Sequence, residues 1–175
     1  MKSAFRLSFI LGLVASLSTV ALAGVNAVTS PIIREQQAAL FREAVESAFP
    51  SATSFGIIAG EDDTYSPYIV EVLEILEGSE RIGFIYNKLV PGFGGPISYV
   101  MGVNMEGQFV SFDVLSHSET PGFGARIVDE DDFHNRLMAS SAGQSVDVLS
   151  GATNTSNAIF RGLNALYPDF TARIN

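Results

Sequence analysis

The chain contains no cysteine and only two histidines among its 175 residues. Lack of cysteine rules out disulfide staples, thiolate metal ligands and cysteine nucleophiles. His117 and His134 do not stand at a metal-ligand spacing such as H-x-x-x-H, which argues against a protein-ligated zinc or iron–sulfur site. Any redox chemistry would therefore be carried by an organic cofactor. Positive charge is also scarce. Ten basic residues face nineteen acidic ones, and two of the ten, Lys2 and Arg6, precede a long uncharged stretch. Removing those two leaves eight against nineteen, a formal charge of −11 on the remainder. Nucleic acid is a poor partner for such a surface, because phosphate binding needs clustered Lys and Arg. An anionic lipid face is equally poor for the domain itself.

Charged residues make up 17% of the chain and hydrophobic ones 47%, with a mean hydropathy of +0.27. The apolar surplus lies at one end. From Leu7 to Ile33 no residue is charged, and crossing a bilayer takes roughly 20 mostly apolar residues. Lys2 and Arg6 before the run favour a cytoplasmic N-terminus, which would export residues 34–175. Ala21-Leu22-Ala23 also fits the small-x-small pattern of a signal-peptide cleavage site. The apolar run continues past it through Val25, Ala27 and Val28, longer than the about 7–15 residues of an ordinary signal core. We therefore read residues 1–33 as an anchor and 34–175 as one extracytoplasmic domain, with cleavage after Ala23 as the alternative.

Leu40, Ala44 and Ala48, joined by Phe41, Val45 and Phe49, predict an amphipathic helix ending at Pro50. Segments rich in β-branched and aromatic residues follow: ATSFGII, PYIVEVLEIL, RIGFIYNKLV, ISYVMGVNM and QFVSFDVLS. The stretches EGSE and MEGQ between them read as tight turns, so these segments predict an antiparallel meander. Loops are expected at Pro91–Pro96 and Ser118–Gly124. A helix is predicted from Asp129, with acid in its first turn and Arg136 later, and a last helix from about Ser156 to Leu166, before Pro168. A sheet with segregated helices is an α+β domain.

Two glycine-rich loops, PGFGG (Pro91–Gly95) and TPGFG (Thr120–Gly124), stand out. Pro presets one turn dihedral, Gly supplies positive φ and Phe can dock in the core, which is reason enough for such loops. Glycines also admit close approach of the backbone to a flat ligand. Neither loop has the spacing of a dinucleotide fingerprint or a P-loop. The stretch SGATNTS, Ser150–Ser156, places four hydroxyl side chains just ahead of the last helix. Thr155 or Ser156 would suffice as a cap. Ser150, Gly151 and Thr153 are more than a cap needs, and a helix N-terminus is a natural seat for an anion. With no Lys or Arg between Arg136 and Arg161, backbone and hydroxyl groups would do any such binding locally.

DVLSGAT, Asp147–Thr153, resembles the D-x-x-S/T-G-A-T/S pattern that flavin transferases recognise in exported proteins. GFGGPISYVMGVNMEGQ is similar to the GxGGPIxxxVGIDxxG segment of the FMN-binding G subunit of Rnf electron-transport complexes, and HSETPGFG to that family's HxETPGLG loop. The N-terminal anchor, its VTSPIIREQQ exit and the terminal helix are similar too, so the resemblance spans nearly the whole chain. The C subunit of the sodium-pumping NADH:quinone oxidoreductase shares the flavinylation pattern but is typically larger. Phe123 stands where the family usually has Leu, and the chain is somewhat short for this subunit.

The resemblance implies FMN esterified to Thr153, with Asp147, Ser150, Gly151 and Ala152 as recognition context and Thr155 nearby. The flavin ring would rest against the glycine loops, bringing in Glu119, Thr120, Gly122, Gly94 and Gly95. Phe93 and Phe123 are either ring contacts or core; His117 either binds flavin or fixes its own loop. Tyr86 and Tyr99 read as strand residues. The implied role is a membrane-anchored electron carrier, not catalytic alone, in a complex that links ferredoxin and NAD to Na+ or H+ transport. Its partners would be the other membrane subunits and, for maturation, an ApbE-like flavin transferase. The alternatives are a free-standing exported flavoprotein shuttle, or a non-redox anchored binding module in which SGAT is only a cap.

Overall fold

The structure, a computed structural model, describes residues 2–60, 68–144 and 149–174. Asp147 lies outside the described residues. The chain divides into two compact units, Met1–Ala39 and Leu40–Asn175.

The first unit lies within helix α1 (Lys2–Ala48), which contains Pro31. The predicted anchor and amphipathic helix are thus one continuous element. Proline removes a single rung of the hydrogen-bond ladder, and good helix formers on both sides carry the helix past it. Between Phe5 and Ile33 large apolar side chains such as Leu11, Leu17 and Leu22 are all exposed. The helix is long and apolar enough to cross a membrane.

In the second unit β1 (Ser54–Gly60), β2 (Ile69–Glu77), β3 (Glu80–Pro91), β4 (Pro96–Asn104) and β5 (Phe109–Ser116) form an antiparallel sheet in sequence order. Gly78 opens the two-residue β2–β3 turn at φ 66°, the positive value that hairpin turns of this length require. Helices α2 (Arg126–Asp129), α3 (Asp131–Met138) and α4 (Thr153–Ile174) follow the sheet.

Both faces of the sheet are covered, which is why its central strands read as nearly continuous apolar runs. On one face Leu73, Ile75, Ile85 and Val100 pack with Ala44, Val45 and Phe49 from the end of α1 and the residue after it. On the other, Phe84, Tyr86, Val90, Tyr99 and Met101 meet Phe133 and Leu137 of α3 and Ala158, Ile159, Leu163, Leu166 and Phe170 of α4. The α4 residues recur at helical spacing and turn one stripe to the sheet.

Two helix expectations are corrected. The segment from Asp129 is broken at Glu130, whose extended backbone (φ −109°, ψ 121°) separates α2 from α3. The last helix starts earlier and ends later than its pattern suggests, running through Pro168. Beyond that proline, Asp169 and Phe170 are buried and Arg173 pairs with Asp169, so tertiary packing holds the final turns.

Gly162 lets α4 lie close to the sheet. A Cβ there would collide with the Tyr99 hydroxyl and come within 2.8 Å of Val90 Cγ1. Alanine is about 1 kcal/mol the better helix former, but overpacking costs about 1–3 kcal/mol. Gly162→Ala should therefore lower stability in urea melts, and a gain would show that helix and sheet can move apart at little cost.

Candidate functional site

The two glycine loops and the start of α4 meet at one side chain. Glu119 is buried, and its carboxylate takes three hydrogen bonds. Phe93 N and Gly94 N donate to Oε1 at 2.8 and 3.0 Å, and Thr155 Oγ1 donates to Oε2 at 2.7 Å. The Glu119 amide in turn donates to His117 Nδ1 at 3.2 Å. His117 thus fixes its own loop. A carboxylate with three donors from two other segments acts as a tie between them.

The glycines follow from that tie. A Cβ at Gly92 would collide with Glu119 Oε1, one at Gly94 with the Ser118 carbonyl, and one at Gly124 with Glu119 Oε2. The room these glycines leave is occupied by protein atoms. Their close approach is to the neighbouring loop, and the Gly94 amide is spent on Glu119. The Gly95 carbonyl accepts from Gly92 N at 2.9 Å within its own loop. Gly122 stands at φ 75° at the tip of the second loop, with nothing within 4 Å of a Cβ position.

Capping is corrected as well. Because α4 begins at Thr153, Thr155 and Ser156 lie inside its first turn, buried. The first helical bond runs from Ser156 N to Ala152 O at 2.9 Å. Thr155 turns to Glu119, and Ser156 Oγ accepts from Leu149 N at 3.2 Å. Neither hydroxyl is spent on a cap. Among the described residues, the amides of Thr153, Asn154 and Thr155 have no acceptor in the protein, and they carry the positive end of the helix dipole.

These parts enclose a cleft of about 340 Å3 lined by Phe93, Glu119, Thr120, Phe123, Gly124 and residues 151–155. Thr153 is exposed in it, beside Gly151 and Asn154. Phe93 and Phe123 are 74% and 65% exposed, which settles the choice between core and surface in favour of surface. Both leave apolar surface open beside the cleft. Two other hollows, of about 440 and 420 Å3, share no residue with these motifs. Tyr86 and Tyr99 are fully buried strand residues, and Tyr99 donates to Ile159 O at 3.2 Å, pinning α4.

Sequence reasoning missed two cations. Arg126, distant in sequence from the SGAT segment, reaches it: its Nη1 donates to Ser150 O at 2.7 Å. Glu130 grips the same guanidinium and holds it firmly protonated. On the other side Arg161 Nη2 donates to Pro91 O at 3.0 Å, tying α4 to the first glycine loop. A basic residue directly after TPGFGA was the available signal for Arg126.

The cleft suits a flat, anionic, organic cofactor: apolar rims, a helix N-terminus for a phosphate and a hydroxyl at its mouth. No group of three or more His, Asp or Glu side chains among the described residues has metal-binding geometry.

Comparison with known proteins agrees with this chemistry. The FMN-binding domain family matches residues 92–167, from the first glycine loop through most of α4, and the RnfG N-terminal region matches residues 1–44. The G subunit of an ion-translocating oxidoreductase complex from Stutzerimonas stutzeri is 31% identical over 186 residues, covering 93% of this chain and 78% of that protein. The G subunit of the proton-translocating ferredoxin:NAD(+) oxidoreductase complex of Clostridium ljungdahlii is 24% identical, covering 93% and 89%. The corresponding G subunit from Methanosarcina acetivorans is 28% identical over 74% of each chain.

Proposed function

Because the chain belongs to the G-subunit family of ion-translocating oxidoreductase complexes, we propose that it holds FMN as a phosphoester on Thr153 and relays electrons within such a complex. One observation carries the reading. The hydroxyl that the flavinylation pattern singles out is exposed in a cleft whose walls are the family's two glycine loops and whose floor is a helix N-terminus.

Attachment forms a bond between Thr153 Oγ1 and the FMN phosphorus. It consumes a flavin dinucleotide: the pyrophosphate P–O bond breaks, a nucleoside monophosphate leaves and the hydroxyl proton is released. The product ester keeps one negative charge, matched to the unpaired amides of Thr153, Asn154 and Thr155. Bound FMN supplies electron transfer in one- or two-electron steps. Glu119 holds the loops that border the ring site, and Phe93 and Phe123 offer it apolar faces. The ester would keep the cofactor outside the cytoplasm, where lost flavin is hard to replace. The electrons would pass between ferredoxin and NAD and drive Na+ or H+ transport through the other membrane subunits. The match of the N-terminal region to the family favours a complex subunit over a free-standing shuttle.

The test is flavin fluorescence after denaturing electrophoresis, with intact mass, on chain exported alongside an ApbE-like transferase. Fluorescence should survive denaturation in the parent and vanish in Thr153→Val. A dark parent at its unmodified mass, with a known acceptor labelled in parallel, would sink the covalent reading and leave an anchored binding module.

A further inference from the structure

The Arg126 guanidinium is engaged on two sides. Nε and Nη2 donate to the Glu130 carboxylate at 2.5 and 3.0 Å, while Nη1 donates to Ser150 O at 2.7 Å. The base of the side chain is fixed too, since its neighbours Ala125 and Ile127 are buried. Past Ser150 the chain has little freedom. Gly151 stands at φ 85°, a left-handed conformation that costs other residues energy, and a Cβ there would lie 2.8 Å from Arg126 Nη1. Ala152 is buried, and its carbonyl accepts the first bond of α4. The next residue is Thr153.

We propose that Arg126 is the positioning residue for flavinylation: by holding the Ser150 carbonyl, it keeps Thr153 presented at the mouth of the cleft in the form a flavin transferase accepts. This rests on the reading of Thr153 as the acceptor. Arg126 touches neither Thr153 nor any reacting atom in this role and acts through the Ser150–Ala152 segment. Glu130 orients the fork, so the guanidinium arrives already aligned and gives up little freedom in binding the carbonyl. Without Arg126 the segment would sample other conformations. A transferase that binds only the competent form then sees a weaker acceptor, by the factor of its lost population. Bond formation within the bound complex is unchanged. The effect belongs in KM for the acceptor and not in kcat.

Lysine can donate to Ser150 O but cannot fork Glu130 at the same time, so it should recover part of the effect.

The experiment follows FMN incorporation into the detergent-solubilised full chain by a purified flavin transferase with flavin dinucleotide, read by intact mass. It compares the parent, Thr153→Val, Arg126→Gln, Arg126→Lys and Glu130→Gln. Arg126→Gln should raise KM about tenfold, the size of one charge-assisted hydrogen bond, with kcat and final incorporation unchanged. Arg126→Lys and Glu130→Gln should fall between it and the parent. Equal KM in Arg126→Gln and the parent overturns the proposal, as does a fall in kcat or in final incorporation with KM unchanged. Should Arg126→Gln fail to fold, parental KM in both Arg126→Lys and Glu130→Gln overturns it. A parent as unlabelled as Thr153→Val overturns the acceptor reading itself, and this proposal with it.

Discussion

Lys88→Met should make the domain more stable at pH 7, by roughly 2–4 kcal/mol, and should flatten its pH profile above neutrality. Lys88 lies on β3 with its side chain directed to the α4 face, in line with Phe84, Tyr86 and Val90. It is fully buried, and among the described residues its Nζ has no hydrogen-bond partner. Around it are the Tyr86 ring, 5.8 Å from Nζ to centroid, and the field of Asp169, itself paired with Arg173. Desolvation outweighs that field and lowers Lys88 to about 7. In the unfolded chain lysine holds its proton to about pH 10.4. Between these values the unfolded state binds more protons than the folded one, so stability rises with pH across the window. Below about pH 7 both states are protonated and the cost of burying the ammonium is fully present.

The gap corresponds to about 5 kcal/mol at 1.36 kcal/mol per pH unit, and structural relaxation lowers what is realised to the smaller figure. Methionine has similar reach and no charge, so it removes the cost. Above about pH 10 the profile should turn down. Burial raises the Tyr86 and Tyr99 phenols, so the unfolded state ionises first. Urea melts of the parent and Lys88→Met from pH 6 to 10 check this. Parallel profiles would mean that Lys88 keeps its proton when folded.

Glu119→Ala is the second large effect, expected at about 3–5 kcal/mol of destabilisation. It orphans the Phe93 and Gly94 amides and the buried Thr155 hydroxyl. It also leaves space against Gly92 and Gly124, whose missing side chains make room for this carboxylate. Glu119→Gln keeps an acceptor for the two amides but loses charge, and should cost about 1–2 kcal/mol. Thr155→Val should cost a similar amount. Because the last two changes disrupt one hydrogen bond from opposite ends, their combination should cost less than the sum. Strict additivity in the double-mutant cycle would mean that Glu119 and Thr155 do not interact in solution. Glu119→Ala should also lower hydrogen-exchange protection at the Ser156 amide, whose bond to Ala152 O opens α4, since the start of the helix would lose its tie to the loops.

How much of this was legible beforehand depended on range. The strands were readable because β-branched and aromatic residues cluster between Gly-containing turns, and Gly78 and Gly107 both prove to have positive φ at those turns. The length of α4 was not readable, because its early start and its passage through Pro168 rest on contacts to Glu119, Leu149 and the sheet. Phe93 and Phe123 look alike in sequence whether buried or exposed; only the packed loops left them outside. Lys88 within RIGFIYNKLV reads as an ordinary polar strand position, and nothing local announces that α4 will cover it.

The sequence alone determined the apolar N-terminal run, the antiparallel meander, the exclusion of thiolate chemistry and the order of the three motifs. Each is a property of composition or of periodicity over a few residues, set by local sterics and by water's rejection of apolar surface. The tertiary structure alone decided that the two glycine loops and the first turn of α4 share one buried carboxylate, with Glu119 bonding 26 residues back to Phe93 and 36 residues ahead to Thr155. It also decided that Arg126 reaches across 24 residues to Ser150. Such contacts depend on how strands pair and helices dock, and a hydrogen bond acts over ångströms of space whatever the distance along the chain.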